Sequence, residues 1–580
     1  MTPGEHGGQS MGVRVRCQSK SRGSLNWVVR LVVWHLTLTP VLLLSVAVQA
    51  ADTSDQQLQN RLRAHIEFLA DDRMRGRQPG SDGYNIAANY VASQFLQMGL
   101  SPAGNDGSYF QQVPLRQAFL EPGSAEMAIY RDGKTTPLVF VEQFFMHPSL
   151  SSTSSRLEAE MVFAGYGIDA PELDYSDFKD IDVNGKVVVA FAGQPEDFPS
   201  EEGAHFSSTK EKTRAAVRHG AVGVLFIHTP GAAQRFKWDR VASSVGMPSM
   251  GWINDEGRVH GEFEQLQAGA LISHVAAGVL FEETPYGLAS LIEKDDRAEE
   301  LPVFQLYGKV SMSQRSTHQS IYSPNVVAVL PGADPILADE YVLYTAHLDH
   351  IGELHADVDG QEHHIDGHGD RINNGALDNA SGVSVMLETA RLFAQGKPPR
   401  RSILFVAVTA EEKGLVGSEY FAMNPTVPIS AIVSEVNLDM PLLLYDFGDV
   451  IAFGAEHSSL GEAVRDAAGA YGIALTPDPF PEKNIFVRSD HYRFVQQGIP
   501  SVFLVTGMKS LDGSVDTQPI SEGFLQQHYH KPSDDLNLPI HYGAAARFTR
   551  INAKIGELIA NESKRPSWHE GDFFARTFAK

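Results

Sequence analysis

The chain of 580 residues contains one cysteine, Cys17. Everything after it is thiol-free, which excludes disulfide staples, thiolate zinc sites and cysteine nucleophiles from the bulk of the protein. Positive charge is scarce as well. There are 47 Lys and Arg against 71 Asp and Glu, a formal charge of −24. That balance excludes nucleic acid as a partner, because phosphate binding needs a basic face. Long apolar runs are also missing. The run from Leu36 to Val48 has 13 residues, is interrupted by Pro40, and is short for a membrane span.

That short run has a meaning of its own. Arg14, Arg16, Lys20, Arg22 and Arg30 precede it, and Val48-Gln49-Ala50 closes it with small residues where a signal peptidase cuts. Residues 1–50 therefore read as a signal peptide, and the protein as exported to the periplasm or outside the cell. Without them the chain carries 42 basic and 70 acidic residues, a charge of −28 that suits a highly soluble secreted protein. The length exceeds what a single core supports, so two or more domains are expected.

The stretch that organises the rest is Tyr344-Thr-Ala-His347-Leu-Asp349-His350. An apolar strand ends there, and a histidine and an aspartate sit two apart at its end. Asn374-Gly-Ala-Leu-Asp378-Asn-Ala-Ser-Gly382 follows, then Thr409-Ala-Glu411-Glu412, Asn437-Leu-Asp439-Met, and Tyr529-His530-Lys-Pro-Ser-Asp534. Strands over Tyr341–Thr345, Ser402–Thr409, Ala431–Leu438 and Ser501–Thr506 alternate with helices from Ser381, near Gly417 and from Leu460. The expected fold is α/β, a mostly parallel mixed sheet with helices on both faces. In such sheets the ligand site lies off the carboxyl ends of the strands. His347 and Asp349, Glu411 and Glu412, and Asp439 repeatedly occupy that position. Hard and borderline ligands in this pattern suit two zinc ions bridged by one carboxylate.

The adjacent Glu411 and Glu412 leave a strand end in different directions, so one can bind metal while the other takes the proton of a zinc-activated water. Asp349 is expected to accept the second ring N–H of His347, and Asp534 to repeat this with His530. His355, His363, His364 and His368 lie in a long loop after Asp349 and read as a solvated surface.

Earlier in the chain, a helix is expected over residues 55–75, a second from Tyr84 to Met98, and strand over Phe110–Tyr130. Ser149-Leu-Ser-Ser-Thr-Ser-Ser155 reads as a polar join. Beyond it, Gly165-Tyr-Gly167, Gly185-Lys-Val-Val-Val189 and the helix before Gly220-Ala-Val-Gly-Val224 resemble the β-rich protease-associated domain inserted in several secreted peptidases. The expected organisation is a signal peptide (1–50), a first peptidase part (51–154), a non-catalytic protease-associated insert (155–310) and a second peptidase part carrying the metal site (311–580).

Taken together, Ala346-His347-Leu-Asp349-His350, Asn374-Gly-Ala-x-Asp378-Asn-Ala-Ser-Gly, Ala410-Glu411-Glu412-x-Gly-Leu-x-Gly-Ser, Asn437-Leu-Asp439-Met and Tyr529-His530-x-Pro-x-Asp534 resemble the dizinc aminopeptidases, the secreted bacterial leucyl aminopeptidase and aminopeptidase Y type. Glutamate carboxypeptidase and glutaminyl cyclase are relatives of that family. The resemblance implies that His347 and Asp439 bind one zinc, that Glu412 and His530 bind the other, and that Asp378 bridges. It implies Glu411 as general base, Tyr529 as hydrogen-bond donor to the oxyanion, and Arg488, in Arg488-Ser-Asp-His491, near substrate. The implied activity is removal of amino-terminal residues from peptides with a free amino terminus. A carboxypeptidase or dipeptidase of the same fold is the alternative; a glutaminyl cyclase and a metal-free receptor-like relative fit less well. Manganese or cobalt could replace zinc, because affinity order alone does not decide loading.

Overall fold

The computed structural model describes residues 54–235, 237–242, 244–354 and 369–579. The expected signal peptide and the histidine-rich loop at 355–368 fall outside the described residues. One body runs from Leu58 to Lys580.

The first sheet is built from β1 (Phe110–Leu120), β2 (Val303–Leu330), β3 (Tyr341–His347), β4 (Ser402–Val408), β5 (Ile432–Leu438), β6 (Asp449–Phe453) and β7 (Ser501–Thr506). Its order is β1-β2-β4-β3-β5-β7-β6, with Ser249–Trp252 outside β1 and Ala474–Thr476 outside β6. The four central strands β4, β3, β5 and β7 are parallel, and β2 and β6 flank them antiparallel. β3, β4 and β5 are buried along nearly their whole length, as parallel strands covered on both faces must be.

Side-chain alternation sorts the two faces. Val342, Tyr344, Ala346, Phe405 and Ala407 join one core with α1 (Asp82–Met98), α2 (Gly382–Gln395) and α3 (Tyr542–Asn561). Leu343, Leu404, Val406 and Val408 join the other with Phe421 and Phe494. The period of two is what a strand imposes. The expected strands at 341–345, 402–409, 431–438 and 501–506 are all present within one or two residues.

A second sheet has the order Lys134–Leu138, Glu126–Arg131, β2, Ser154–Ala164, Val187–Phe191, Gly223–His228, Ala268–Ser273 and Phe144–Phe145. The expected single strand over Phe110–Tyr130 is two. Pro122 and Gly123, the latter at φ +67°, turn the chain between them, and the halves enter different sheets. The second sheet therefore begins at Glu126, ahead of the expected boundary at 154. It also has no loose hinge at its far end. β2 spans 28 residues; Val303–Arg315 pairs in the second sheet and Ser316–Leu330 in the first.

A buried polar knot adds to that junction. Glu201, on the helix Ser200–Ser207, pairs with His457 Nε2, and His457 Nδ1 lies 2.6 Å from Asp572 Oδ2. Burial opposes charge on His457, but the hydrogen bonds to Glu201 and Asp572 outweigh it and lift its pKa to about 9. Burial pushes Glu201 up to about 7. Both groups thus hold protons in the folded chain that the unfolded chain releases, so stability falls as pH rises. The His457 contribution is complete below its ordinary value near 6.5 and is lost on approaching 9. Denaturant unfolding at pH 7 and pH 9 should show a loss of about 2 kcal/mol that His457→Gln removes. An unchanged pH dependence in that variant would exclude the knot as its source.

Candidate metal centre

Five segments bring their polar ends together at the carboxyl edge of the parallel strands. His347 is the last residue of β3, Asp439 follows β5, and Glu411 and Glu412 open the turn after β4. Asp378 lies in the irregular turn Ala376–Ser381 ahead of α2. His530 follows the helix Gln518–Gln527.

Asp378 stands at the centre. Its Oδ1 is 3.2 Å from His347 Nε2, and its Oδ2 is 3.1 Å from His530 Nε2. His347 Nε2 also lies 3.1 Å from Asp439 Oδ1, and His530 Nε2 lies 3.2 Å from Glu412 Oε2. One carboxylate therefore stands between two half-sites, each with one histidine and one further acid. All five residues expected as ligands are brought together. His347, Asp378 and Asp439 form a group able to hold a metal ion, as do His350, Asp378 and Glu412. Imidazole nitrogens and carboxylate oxygens are the donors zinc takes in catalytic sites, so the residues fit the ion.

The electrostatics point the same way. Burial pushes the Glu411 carboxyl well above the usual range; His347 opposes this, while Glu412, Asp439 and Asp490 add to it. Burial also raises Glu412. Asp378 is held well below the ordinary value: burial opposes this, but the bonds to His347 and His530 win. Acids packed this tightly out of water need cations near them.

Two expected contacts are corrected. The carboxylate of Asp349 does not reach the ring of His347. It accepts the backbone N–H groups of Glu411 at 3.1 Å and Glu412 at 3.3 Å, while His347 Nδ1 faces the Asp349 carbonyl at 3.2 Å. Nor does Asp534 orient His530. It accepts the N–H groups of Leu377 at 2.9 Å and Asp378 at 3.0 Å. β3 ends at His347, so Asp349 already lies in the turn and its side chain leaves toward the β4 loop. Both aspartates thus clamp the main chain beneath other candidate ligands.

Other supports had no signal beyond their presence beside a motif. Asn379 donates to the carbonyls of His347 and Leu438, and its Oδ1 accepts from Gly382 and Met440. Ser489 donates to Asp439 Oδ2 at 2.6 Å and accepts from Asn437 Nδ2 at 2.5 Å. Ser489→Ala should leave Asp439 unoriented and weaken metal binding about 10- to 100-fold, read as the free-metal concentration at half occupancy. His350, inside the organising motif but not singled out, is buried with Nδ1 2.7 Å from Glu412 Oε1. Burial lowers its pKa to about 3, so it stays neutral.

Tyr529 packs on His530 with ring centroids 3.9 Å apart, and burial raises its phenol so that it remains a donor. Arg240, from the short helix Trp238–Ala242 between strands of the second sheet, reaches the same place. Its guanidinium lies 4.5 Å over the Tyr529 ring, and Nη2 is 2.7 Å from His530 Nδ1. The expected insert thus brings a side chain to the centre, and nothing in its local sequence marks this arginine. Arg488 is exposed, with Nη1 3.5 Å from the Lys483 carbonyl, and its charge acts on the Tyr529 phenol.

Residues 325–556, which carry every candidate ligand, match the description of peptidase family M28. That segment, two fifths of the chain, is similar to peptidase family M28. The chain is similar to a probable zinc metalloprotease of Pyrenophora teres f. teres, 40% identical over 119 residues, or 20% of this chain and 22% of that protein. It is also similar to aminopeptidase YwaD of Bacillus subtilis, 28% identical over 202 residues, or 33% of this chain and 39% of that protein. The chain thus spans between about a fifth and two fifths of the length of these curated relatives. Among solved structures, an aminopeptidase from Aneurinibacillus sp. strain AM-1 superposes with a TM-score of 0.50 at 20% identity, over 88% of this chain and 97% of that one. This last likeness supports the α/β fold built around the M28 segment.

Proposed function

We propose that the protein is a zinc-dependent exopeptidase that removes amino-terminal residues from peptides. The observation that carries this reading is Asp378, whose two oxygens face two separate histidines at 3.2 and 3.1 Å. His347 and Asp439 would hold one zinc, Glu412 and His530 the other, and Asp378 both. A bound pair supplies Lewis-acid polarisation of the scissile carbonyl and acidifies the attacking water.

The chain's own residues do the rest. Glu411 takes the proton of the attacking water and passes it to the leaving amine; bound cations would lower its raised proton affinity. Tyr529 keeps its phenolic proton and can donate it as a hydrogen bond to the developing oxyanion. Asp349 and Asp534 hold the backbones of Glu411, Glu412 and Asp378 in place. Carboxylates around the centre offer a partner for a free substrate ammonium. Among the described residues no helix is long and apolar enough to cross a membrane. Export through the segment 1–50 belongs to the same proposal.

Arg240 favours a second reading, a dipeptidase or carboxypeptidase. A guanidinium 4.5 Å above Tyr529 can bind a substrate carboxylate. The test is a panel of aminoacyl-p-nitroanilides, amino-blocked peptides and free dipeptides, with and without a chelator, followed by zinc add-back. The first reading expects cleavage of free-amine substrates, abolished by chelator and restored by zinc. Cleavage confined to substrates with a free carboxylate would transfer the assignment to the second, and chelator-insensitive cleavage would end both.

A further inference from the structure

Away from the ligand cluster, a cavity of about 160 Å³ opens between the insert and the M28 segment. Lys210, Arg214 and His260 line it from one side, and Glu419 and Arg493 from the other. Two arginines and a lysine thus face one carboxylate, in a chain where acids outnumber bases 71 to 47.

Glu419 is already committed. Its Oε1 accepts from Lys210 Nζ at 2.9 Å and faces Arg493 Nη1 at 3.3 Å, and its Oε2 accepts the Trp252 indole N–H at 3.0 Å. The partner of Arg214 is Glu211, on the same helix. Glu262, also close to Lys210, is pushed toward its neutral form by burial. Burial lowers the proton affinity of Lys210, and the nearby charge of Arg493 lowers it further. Arg493 Nε is buried and has no acceptor among the described residues. A buried guanidinium N–H without a partner is costly, and an oxyanion is what relieves it. His260 stacks on Trp252 with ring centroids 4.3 Å apart and walls one side.

We infer that this cavity binds a small oxyanion, of phosphate or carboxylate type, that completes the junction between the insert and the M28 segment. Guanidinium and ammonium groups together recognise such anions, the first by its planar fork and the second as a point charge. The position has a consequence for the centre. Arg493 Nη2 donates to the carbonyl of Gly414 at 3.0 Å, two residues beyond Glu412. The occupied site would therefore brace the turn that carries Glu411 and Glu412. The binding itself does not depend on the proposed peptidase activity.

The test is calorimetric titration of the full chain with inorganic phosphate and, separately, with succinate, at ionic strength held constant with sodium chloride. The expected result is saturable binding of at least one of them, retained in Asp378→Asn and weakened at least about tenfold in Lys210→Met and in Arg214→Gln. Arg214, with 40% of its side chain exposed, is the safer of the two variants for folding. Phosphate alone would assign the phosphate class and succinate alone the carboxylate class. No saturable binding of either would overturn the inference. So would binding unchanged in Arg214→Gln, or binding lost in Asp378→Asn, which would place the anion at the metal centre.

Discussion

Glu411→Gln is expected to retain bound zinc and lose about 10²- to 10⁴-fold in kcat, the usual worth of a general base. The substitution keeps the shape of the side chain and removes only its ability to take a proton. Its backbone N–H still donates to Asp349 at 3.1 Å, so the turn is undisturbed. The carboxylates assigned to the metals, Asp378, Glu412 and Asp439, are untouched. Metal content and kcat should therefore separate. Glu412→Gln should behave differently, because that side chain lies 3.2 Å from His530 and 2.7 Å from His350 within a half-site. There metal and rate should fall together. A Glu411→Gln protein with near-normal kcat would remove this residue as the base, and one that has lost its zinc would make it a ligand instead.

Arg77→Met should cost about 3–5 kcal/mol of stability, the range for breaking a buried charged network. Arg77 is 1% exposed. Its Nε donates to the Leu348 carbonyl at 2.9 Å, Nη1 to Leu69 and, at 2.7 Å, to Asn374, and Nη2 to Gly375 at 3.1 Å. It therefore ties together the loop after β3 and the loop before Asp378, the two that must meet for the half-sites to share a carboxylate. Burial lowers its pKa to about 10, against the opposing pull of Asp349, Asp534, Asp378 and Glu412. The guanidinium thus also counters some of the acid charge. Methionine fills the volume and takes a donor away from four carbonyls, of which Gly375 keeps the Ala380 N–H at 3.1 Å. Lysine should rescue little, because one ammonium cannot reproduce the fork. The measurements are the denaturant midpoint and the zinc affinity; a midpoint shift worth less than about 1 kcal/mol would show that water replaces the arginine without difficulty.

Much of the centre was legible along the chain. His347 ends a buried strand, and Glu411, Glu412 and Asp439 each follow one by four residues or fewer; strand ends are where an α/β sheet gathers its ligands. Asp378 was legible because Asn379, rather than Asp378, serves the start of α2 by accepting the Gly382 N–H. His350 sat in view between Asp349 and Ile351, but the local pattern holds no information on which of two neighbouring histidines turns inward.

The amino-acid sequence by itself determined the parallel sheet, the helices on both its faces, the placing of His347, Glu411, Glu412 and Asp439 at strand ends, and the absence of any thiol chemistry beyond Cys17. These rest on periodicity and residue type within a few positions. Tertiary structure alone decided that Asp349 and Asp534 grip backbone amides, that β2 runs unbroken through two sheets, and that Arg240 crosses 290 positions to meet His530. Such contacts are set by how whole elements pack. A side chain's partner across that distance leaves no trace in its immediate neighbours.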